Sequence, residues 1–358
     1  GTTWVLSVGL ATRLVPLATV PDAAKLEVGR LLARGSYGAV HAARLHDLKG
    51  AVAVDVVAKA ASAAIPSEAG RAAGYLEAEA SVNAAVRGIP GICGYFGEMT
   101  AEGERYLIFE RVRPLGGGDG AATSCADLLQ TASSWPITPR EVLRQLLCTL
   151  SGLHAAGYLH RDIKLENLLL DCSGRGSGAA AASPPAVVSA GAEPCIPSVT
   201  LVDFGSAVSV EGCDLFARMF QGCQLDSTSA PCSELYSAPE SFADPEHPFS
   251  FDVFSAGICF LRLSWPAALR TDEALSEFRD QLAAAGGDLE RWMRIRLHAT
   301  VLRDDWLSGL SSFPGNDPAA LALVRAMLQA DPAARPSADA LLAHPFLRPG
   351  RLGGEEVA

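Results

Sequence analysis

His160-Arg161-Asp162-Ile163-Lys164-Leu165-Glu166-Asn167 is the stretch around which the rest of the chain can be read. Its spacing has a chemical logic. An aspartate can accept a hydrogen bond from an attacking hydroxyl. A lysine two residues on can reach a phosphate in transfer, and an asparagine five residues on can hold a metal ion. A loop tied at both ends would aim all three at one point. Asp162, Lys164 and Asn167 are therefore the candidate catalytic residues, with Asn167 also a candidate metal ligand. The apolar helix pattern before the loop (Val142, Leu143, Leu146, Leu147, Leu150, Leu153, opened by Thr138-Pro139) and Leu168-Leu169-Leu170 after it supply the two anchors.

The composition frames this reading. The chain has 358 residues, 49% of them apolar and 19% charged, which suits one large core or two lobes. A formal charge of −11 argues against a nucleic-acid partner and suits a basic peptide. The nine cysteines lack any C-x-x-C pair and read as reduced thiols. Cys93, Cys148 and Cys259 lie in apolar runs and are expected in the core. Cys172, Cys195, Cys213, Cys223 and Cys232 lie in loop-like stretches, and loop position alone does not make a thiol reactive. No stretch reaches the roughly 20 apolar residues of a membrane helix. Trp4 to Val20 comes nearest, but Arg13 and Pro16 interrupt it, so a hairpin or packed arm is expected there.

Three further stretches follow the first in order. Val199-Thr200-Leu201-Val202-Asp203-Phe204-Gly205 is an apolar strand ending in a candidate metal-binding Asp203. Ser233-Glu234-Leu235-Tyr236-Ser237-Ala238-Pro239-Glu240 ends a polar loop containing Ser227, Thr228 and Ser229. Phe251-Asp252-Val253-Phe254-Ser255-Ala256-Gly257 opens an apolar helix. With H-R-D-x-K-x-x-N, D-F-G and A-P-E in this order, residues 25–348 resemble a eukaryotic-type Ser/Thr protein kinase. The resemblance implies an α+β bilobal fold: a small β-rich N-lobe with one main helix (25–113) and a larger helical C-lobe (114–348). Residues 1–24 are expected to form an arm, the Gly/Ala/Ser/Pro-rich stretch 173–198 a flexible insertion, and 349–358 a tail. It also implies ATP and Mg²⁺, held by Asn167 and Asp203. Asp252 would bind the catalytic-loop backbone, Arg335 would pair with Glu240, and Arg161 would meet a phosphate added at 227–229.

Strand patterns at Leu26–Leu32 and Ala39–Leu45 flank Ala33-Arg34-Gly35-Ser36-Tyr37-Gly38, a glycine-rich hairpin whose amides can cover phosphates. Ala33 stands where the family has its first glycine; Gly35, Gly38 and Val40 match. In the next strand, Ala51–Ala60, the family reads V-A-I-K. Counting from Val40 through a short turn gives Val52-Ala53-Val54-Asp55, so Asp55 is expected where the phosphate-binding lysine should be. Lys59 lies four residues on, about 13 Å along a strand, and would serve only after a bulge or a register shift. Arg34 is another possible donor, and an introduced substitution is a third explanation. Ser67 to Val86 reads as a helix with Glu77 and Glu79, of which Glu79 is preferred as the acid that pairs with the lysine. Val40, Ala53 and Leu169 would sandwich adenine, and Phe109, Glu110 and Val112 would form the gatekeeper and hinge.

The C-terminal half narrows the resemblance. Phe251 to Leu263, Trp265-Pro266-Ala267-Ala268-Leu269-Arg270-Thr271-Asp272, Phe278-Arg279-Asp280-Gln281-Leu282 and Asp288-Leu289-Glu290-Arg291-Trp292 resemble the chloroplast state-transition kinases of plants and green algae. That resemblance implies a stromal kinase domain at the thylakoid membrane, separated from a membrane anchor and a regulatory N-terminal cysteine. Its substrates would be light-harvesting antenna proteins, with no nucleic acid and no membrane contact of its own. The sister kinases of photosystem II core proteins are a second branch. Asp55 motivates a different class, a pseudokinase acting as a nucleotide-binding regulatory module.

Overall fold

The computed structural model describes residues 24–35, 38–46, 53–62, 69–115, 118–130, 135–171, 197–210, 233–240, 243–298 and 317–348. The expectations for the N-terminal arm, Ser36, the insertion up to residue 196, the loop cysteines and Ser227 to Ser229 fall outside them. The chain divides into two compact units, residues 1–80 with 94–111 and residues 81–93 with 112–358.

The first unit is built on a five-stranded antiparallel sheet in the order β1-β2-β3-β5-β4: β1 Lys25–Arg34, β2 Gly38–His46, β3 Ala53–Ala61, β4 Tyr95–Ala101 and β5 Glu104–Glu110. Alternation sorts its side chains. Val56, Ala58 and Ala60 of β3 join Leu26, Ala43, Leu45, Phe96, Tyr106 and Ile108 in one apolar cluster. Their neighbours in sequence face the other way, where Leu107 and Tyr95 pack with Leu76 and Ala80 of helix α1 (Ala69–Ala85).

The second unit is mostly helical. Helix α2 (Cys125–Gln130) precedes α3 (Pro139–Ala155), which is capped by Thr138, whose hydroxyl accepts from the Glu141 N–H at 3.2 Å. Val142, Leu143, Leu146, Leu147, Leu150 and Leu153 of α3 are all buried, as their spacing predicts. At roughly 1.5–3 kcal/mol each, they anchor the loop that follows. Helix α4 (Ser250–Ser264) is buried along nearly its whole length. Further helices follow at Pro266–Leu269, Asp272–Ala284, Leu289–His298, Pro318–Met327 and Ala338–Leu342. A small sheet, β6 (Thr123–Ser124), β8 (Leu168–Asp171) and β9 (Ser198–Leu201), and a two-stranded pair, β7 (Tyr158–Leu159) with β10 (Val208–Ser209), frame the loop after α3. Strand β9 begins at Ser198, the last residue assigned above to the insertion.

One core assignment is corrected. Cys93 and Cys259 are buried, but Cys148 is exposed. It sits on the outer side of α3, between the buried turns at Leu146-Leu147 and Thr149-Leu150. Among the described residues, no helix is long and apolar enough to cross a membrane.

Candidate active site

The loop 160–167 carries a cluster of hydrogen-bonded polar groups. Asp162 is buried, and its Oδ2 accepts from Lys164 Nζ at 2.6 Å and from Asn167 Nδ2 at 3.1 Å. Its Oδ1 accepts from the Ser233 N–H at 3.2 Å. Asn167 Nδ2 also donates to the Asp162 carbonyl at 2.8 Å. The three predicted catalytic side chains thus meet at one carboxylate.

Two buried groups hold this loop. Asp252, at the start of α4, accepts from the His160 and Arg161 N–H groups, both at 2.9 Å, and bonds His154 Nε2 at 3.0 Å. Burial alone would raise its pKa. The His154 hydrogen bond and the charges and backbone donors around it outweigh that, so the carboxyl lies below its ordinary value. His160 is fully buried, edge-on to Phe204 at 4.7 Å. Its Nδ1 accepts from the Asp162 N–H at 3.3 Å and its Nε2 faces the Val202 carbonyl at 3.2 Å. Burial, opposed by Asp252, Asp162 and Asp203, lowers its pKa, so the ring is neutral with its proton on Nε2. Arg161 and Asp203 both adopt left-handed backbone, φ 66° in each. Such residues persist only where the surroundings fix them. Here Arg161 Nε donates to the Ser206 carbonyl at 2.6 Å, and the Val202 N–H bonds the Asn167 carbonyl at 3.0 Å, joining the Asp203 turn to the catalytic loop.

A hard cation would find two oxygen ligands here, the Asp203 carboxylate and the Asn167 amide oxygen, whose nitrogen is spent on Asp162. Among the described residues no cluster of three or more His, Cys, Asp or Glu could hold a metal. A two-ligand set fits Mg²⁺, which completes its shell with phosphate and water, and does not fit a dedicated protein cage.

In the first unit the expected lysine position is corrected. The pairing of β2 with β3 runs His46↔Ala53, Arg44↔Asp55 and Val40↔Lys59. The register therefore sets Lys59, not Asp55, opposite Val40. Asp55 pairs with Arg44 at 3.3 Å. Lys59 is on the α1 face of the sheet, beside Leu107, and its Nζ lies 2.7 and 2.8 Å from the two Glu79 oxygens. Glu79 is buried, whereas Glu77 is exposed. Lys59 reaches Glu79 with neither a bulge nor a shifted register in β3. The V-A-I-K equivalent is Val56-Val57-Ala58-Lys59, a pattern visible in the sequence as a second valine run ending in lysine.

The remaining candidates follow. Ala33 and Arg34 pair with Val40 and Ala39 across β1 and β2, and the Gly35 N–H bonds the Gly38 carbonyl at 2.8 Å. Arg34 Nη1 donates to Ser62 Oγ at 3.3 Å. Gly38 has a specific reason to be glycine: a Cβ there would lie 2.8 Å from Lys59 Cε. Ala53 is exposed at the far end of β3, about 20 Å from Lys59. Val57 lies two residues before Lys59 and on its face, as Ala53 lies two before Asp55. Phe109 and Glu110 end β5, the latter through its N–H to the Gly94 carbonyl at 2.7 Å. Val112 is buried and Leu169 half-buried in the second unit. Arg335 meets Glu240 with two bonds, 2.5 and 2.7 Å.

Comparison with known proteins agrees with this arrangement. The family model for the protein kinase domain matches residues 26–347. Similar chains include the chloroplastic serine/threonine-protein kinases STN7 and STN8 of Arabidopsis thaliana, 26% identical over 57% of this chain and 27% identical over 61% of it. The alignments span 34% and 40% of those proteins. CBL-interacting protein kinase 20 of Oryza sativa subsp. japonica is 25% identical over 91% of this chain and 58% of its own. With nearly its whole described length matched by the family model, and with the Lys59–Glu79 pair and the Asp162 cluster in place, this chain belongs to the protein kinase domain family.

Proposed function

We propose that this chain is a catalytically competent Ser/Thr protein kinase domain that transfers the ATP γ-phosphoryl group to protein hydroxyls. The observation that carries the proposal is the Asp162 carboxylate, oriented by Lys164, Asn167 and the Ser233 N–H. Asp162 accepts the proton of the Thr or Ser hydroxyl as its oxygen attacks the γ-phosphorus and the bond to ADP breaks. Lys164 offsets charge on the transferred group. Lys59, held by Glu79, faces the α- and β-phosphates, and the backbone amides at Gly35 and Gly38 cover them. Mg²⁺, held by Asn167 and Asp203, neutralises phosphate charge when bound. On the first unit, Val40 and Val57 would meet adenine, with Phe109 and Glu110 at the gatekeeper and hinge. The pseudokinase alternative rested on an acid at the phosphate position, and the Arg44–Asp55 pair removes that motive.

The substrate and setting belong to the same proposal. The stretches 251–272 and 278–292 favour antenna proteins of the thylakoid, on the stromal side of the chloroplast membrane. The same stretches resemble the sister kinases of photosystem II core proteins, which keeps those proteins as the second choice. The test is Mg²⁺-dependent transfer of labelled γ-phosphate to an antenna Thr peptide, a photosystem II core peptide and a generic basic protein, with Asp162→Ala as blank. Preference for the antenna peptide is expected. Transfer to none of the three above the blank contradicts the kinase reading.

A further inference from the structure

Arg262 is a buried cation at the end of α4 whose role the catalytic residues do not explain. Its Nη1 donates to the Tyr236 hydroxyl at 2.6 Å. Its Nε donates to the Leu269 carbonyl at 3.0 Å, and its Nη2 to the Arg270 carbonyl at 3.0 Å and to Asp272 Oδ1 at 2.6 Å. The guanidinium also lies 5.7 Å from the Tyr236 ring centroid. Burial pushes the Tyr236 phenol far up, so it stays neutral and its oxygen accepts.

Tyr236 is the far corner of a tight turn. Its N–H and that of Ser237 both bond the Ser233 carbonyl at 3.0 Å, and Ser237 Oγ adds a bond to the same oxygen at 2.8 Å. The Ser233 N–H, at the near corner, donates to Asp162 Oδ1. A continuous set of bonds therefore runs from Arg262 through the Tyr236 phenol and the turn to the catalytic carboxylate. The planar fork of arginine suits the task, because one rigid group meets four acceptors at fixed angles.

We infer that Arg262 is a positioning residue: by fixing the Tyr236 hydroxyl it holds the 233–236 turn in the register that aims its N–H at Asp162. This rests on the kinase reading. A helix that only needed filling here would use an apolar side chain, since an unsatisfied buried guanidinium is costly. Arg262 instead ties α4, the 266–272 segment and the substrate-side turn together.

Tyr236→Phe removes one bond and leaves Arg262 its three other acceptors, so the fold is kept. Its kcat is expected to fall about tenfold, the scale of a sub-ångström misplacement, with the ATP KM within about twofold of wild type. Arg262→Lys is expected to fall similarly, and the double variant no further than the worse single. Backbone amide exchange at residues 233–237 is expected to speed up in both singles. Unchanged kcat and unchanged exchange in Tyr236→Phe, or losses that add in the double variant, overturn the inference. A wild-type chain that transfers no phosphate above Asp162→Ala fails the kinase reading itself. In that case the exchange measurement alone decides whether Arg262 holds the turn.

Discussion

Lys59 and Asp55 lie on the same face of one strand, four residues apart, and only one of them meets Glu79. The difference is a matter of strand register. A lysine bonded to both oxygens of a buried glutamate is held in place on the strand. An aspartate facing Arg44, at an exposed pair, contributes little. Lys59→Met is therefore expected to lower kcat/KM by about 10² to 10³, or roughly 3–4 kcal/mol of transition-state stabilisation, while Asp55→Asn stays within about twofold of wild type. Gly38→Ala is a subtler probe. The added methyl must displace Lys59 Cε, so steady-state kinetics should show a raised ATP KM with Asp162-dependent chemistry still detectable.

At the scale of elements, buried ion pairs and caps fix where the loops go. Asp252 joins α4 to the catalytic loop, and Arg335 joins the segment after α8 (Pro318–Met327) to Glu240. Glu240→Ala leaves the Arg335 guanidinium buried without its carboxylate, and chemical denaturation should report a loss of about 3–5 kcal/mol. Asp252→Asn should cost about 2–4 kcal/mol at neutral pH. Its pH dependence has a definite sign. Folded Asp252 binds its proton more weakly than the ordinary 3.8. Its stabilisation is present above that value and is lost as pH falls through the lower folded value. The gap between wild type and Asp252→Asn should therefore narrow in unfolding curves measured below pH 4, and a gap that widens there contradicts the assignment.

Most of the second unit was legible because its signals are local. Thr138-Pro139 announces α3, the leucine spacing gives its buried face, and Asp162, Lys164 and Asn167 are close enough in sequence to share a loop. Asp252 with the loop backbone and Arg335 with Glu240 followed from motif order. The first unit was harder because no motif marks its strand register. Asp55 and Lys59 share one face of β3, so alternation does not choose between them; the register against β2 does, pairing Arg44 with Asp55 and Val40 with Lys59. Arg262 carried no signal, since a lone arginine in an apolar helix gains meaning only from the acceptors that the fold brings to it.

For the whole molecule, the chain's matched family and its intact charged sets make nucleotide binding the first property to follow. Saturating Mg²⁺-ATP at a hundred times its Kd should add about 2.7 kcal/mol to the stability, visible as a raised melting temperature that Lys59→Met largely abolishes and that chelation of Mg²⁺ reduces. The most direct test of the account compares γ-phosphate transfer by wild type, Asp55→Ala, Lys59→Met and Asp162→Ala side by side. Transfer by wild type and Asp55→Ala, with Lys59→Met lowered by about 10² to 10³ and Asp162→Ala at the blank, is the predicted result. Transfer that is undiminished in Lys59→Met but lost in Asp55→Ala would contradict the assignment of Lys59 as the phosphate-binding cation.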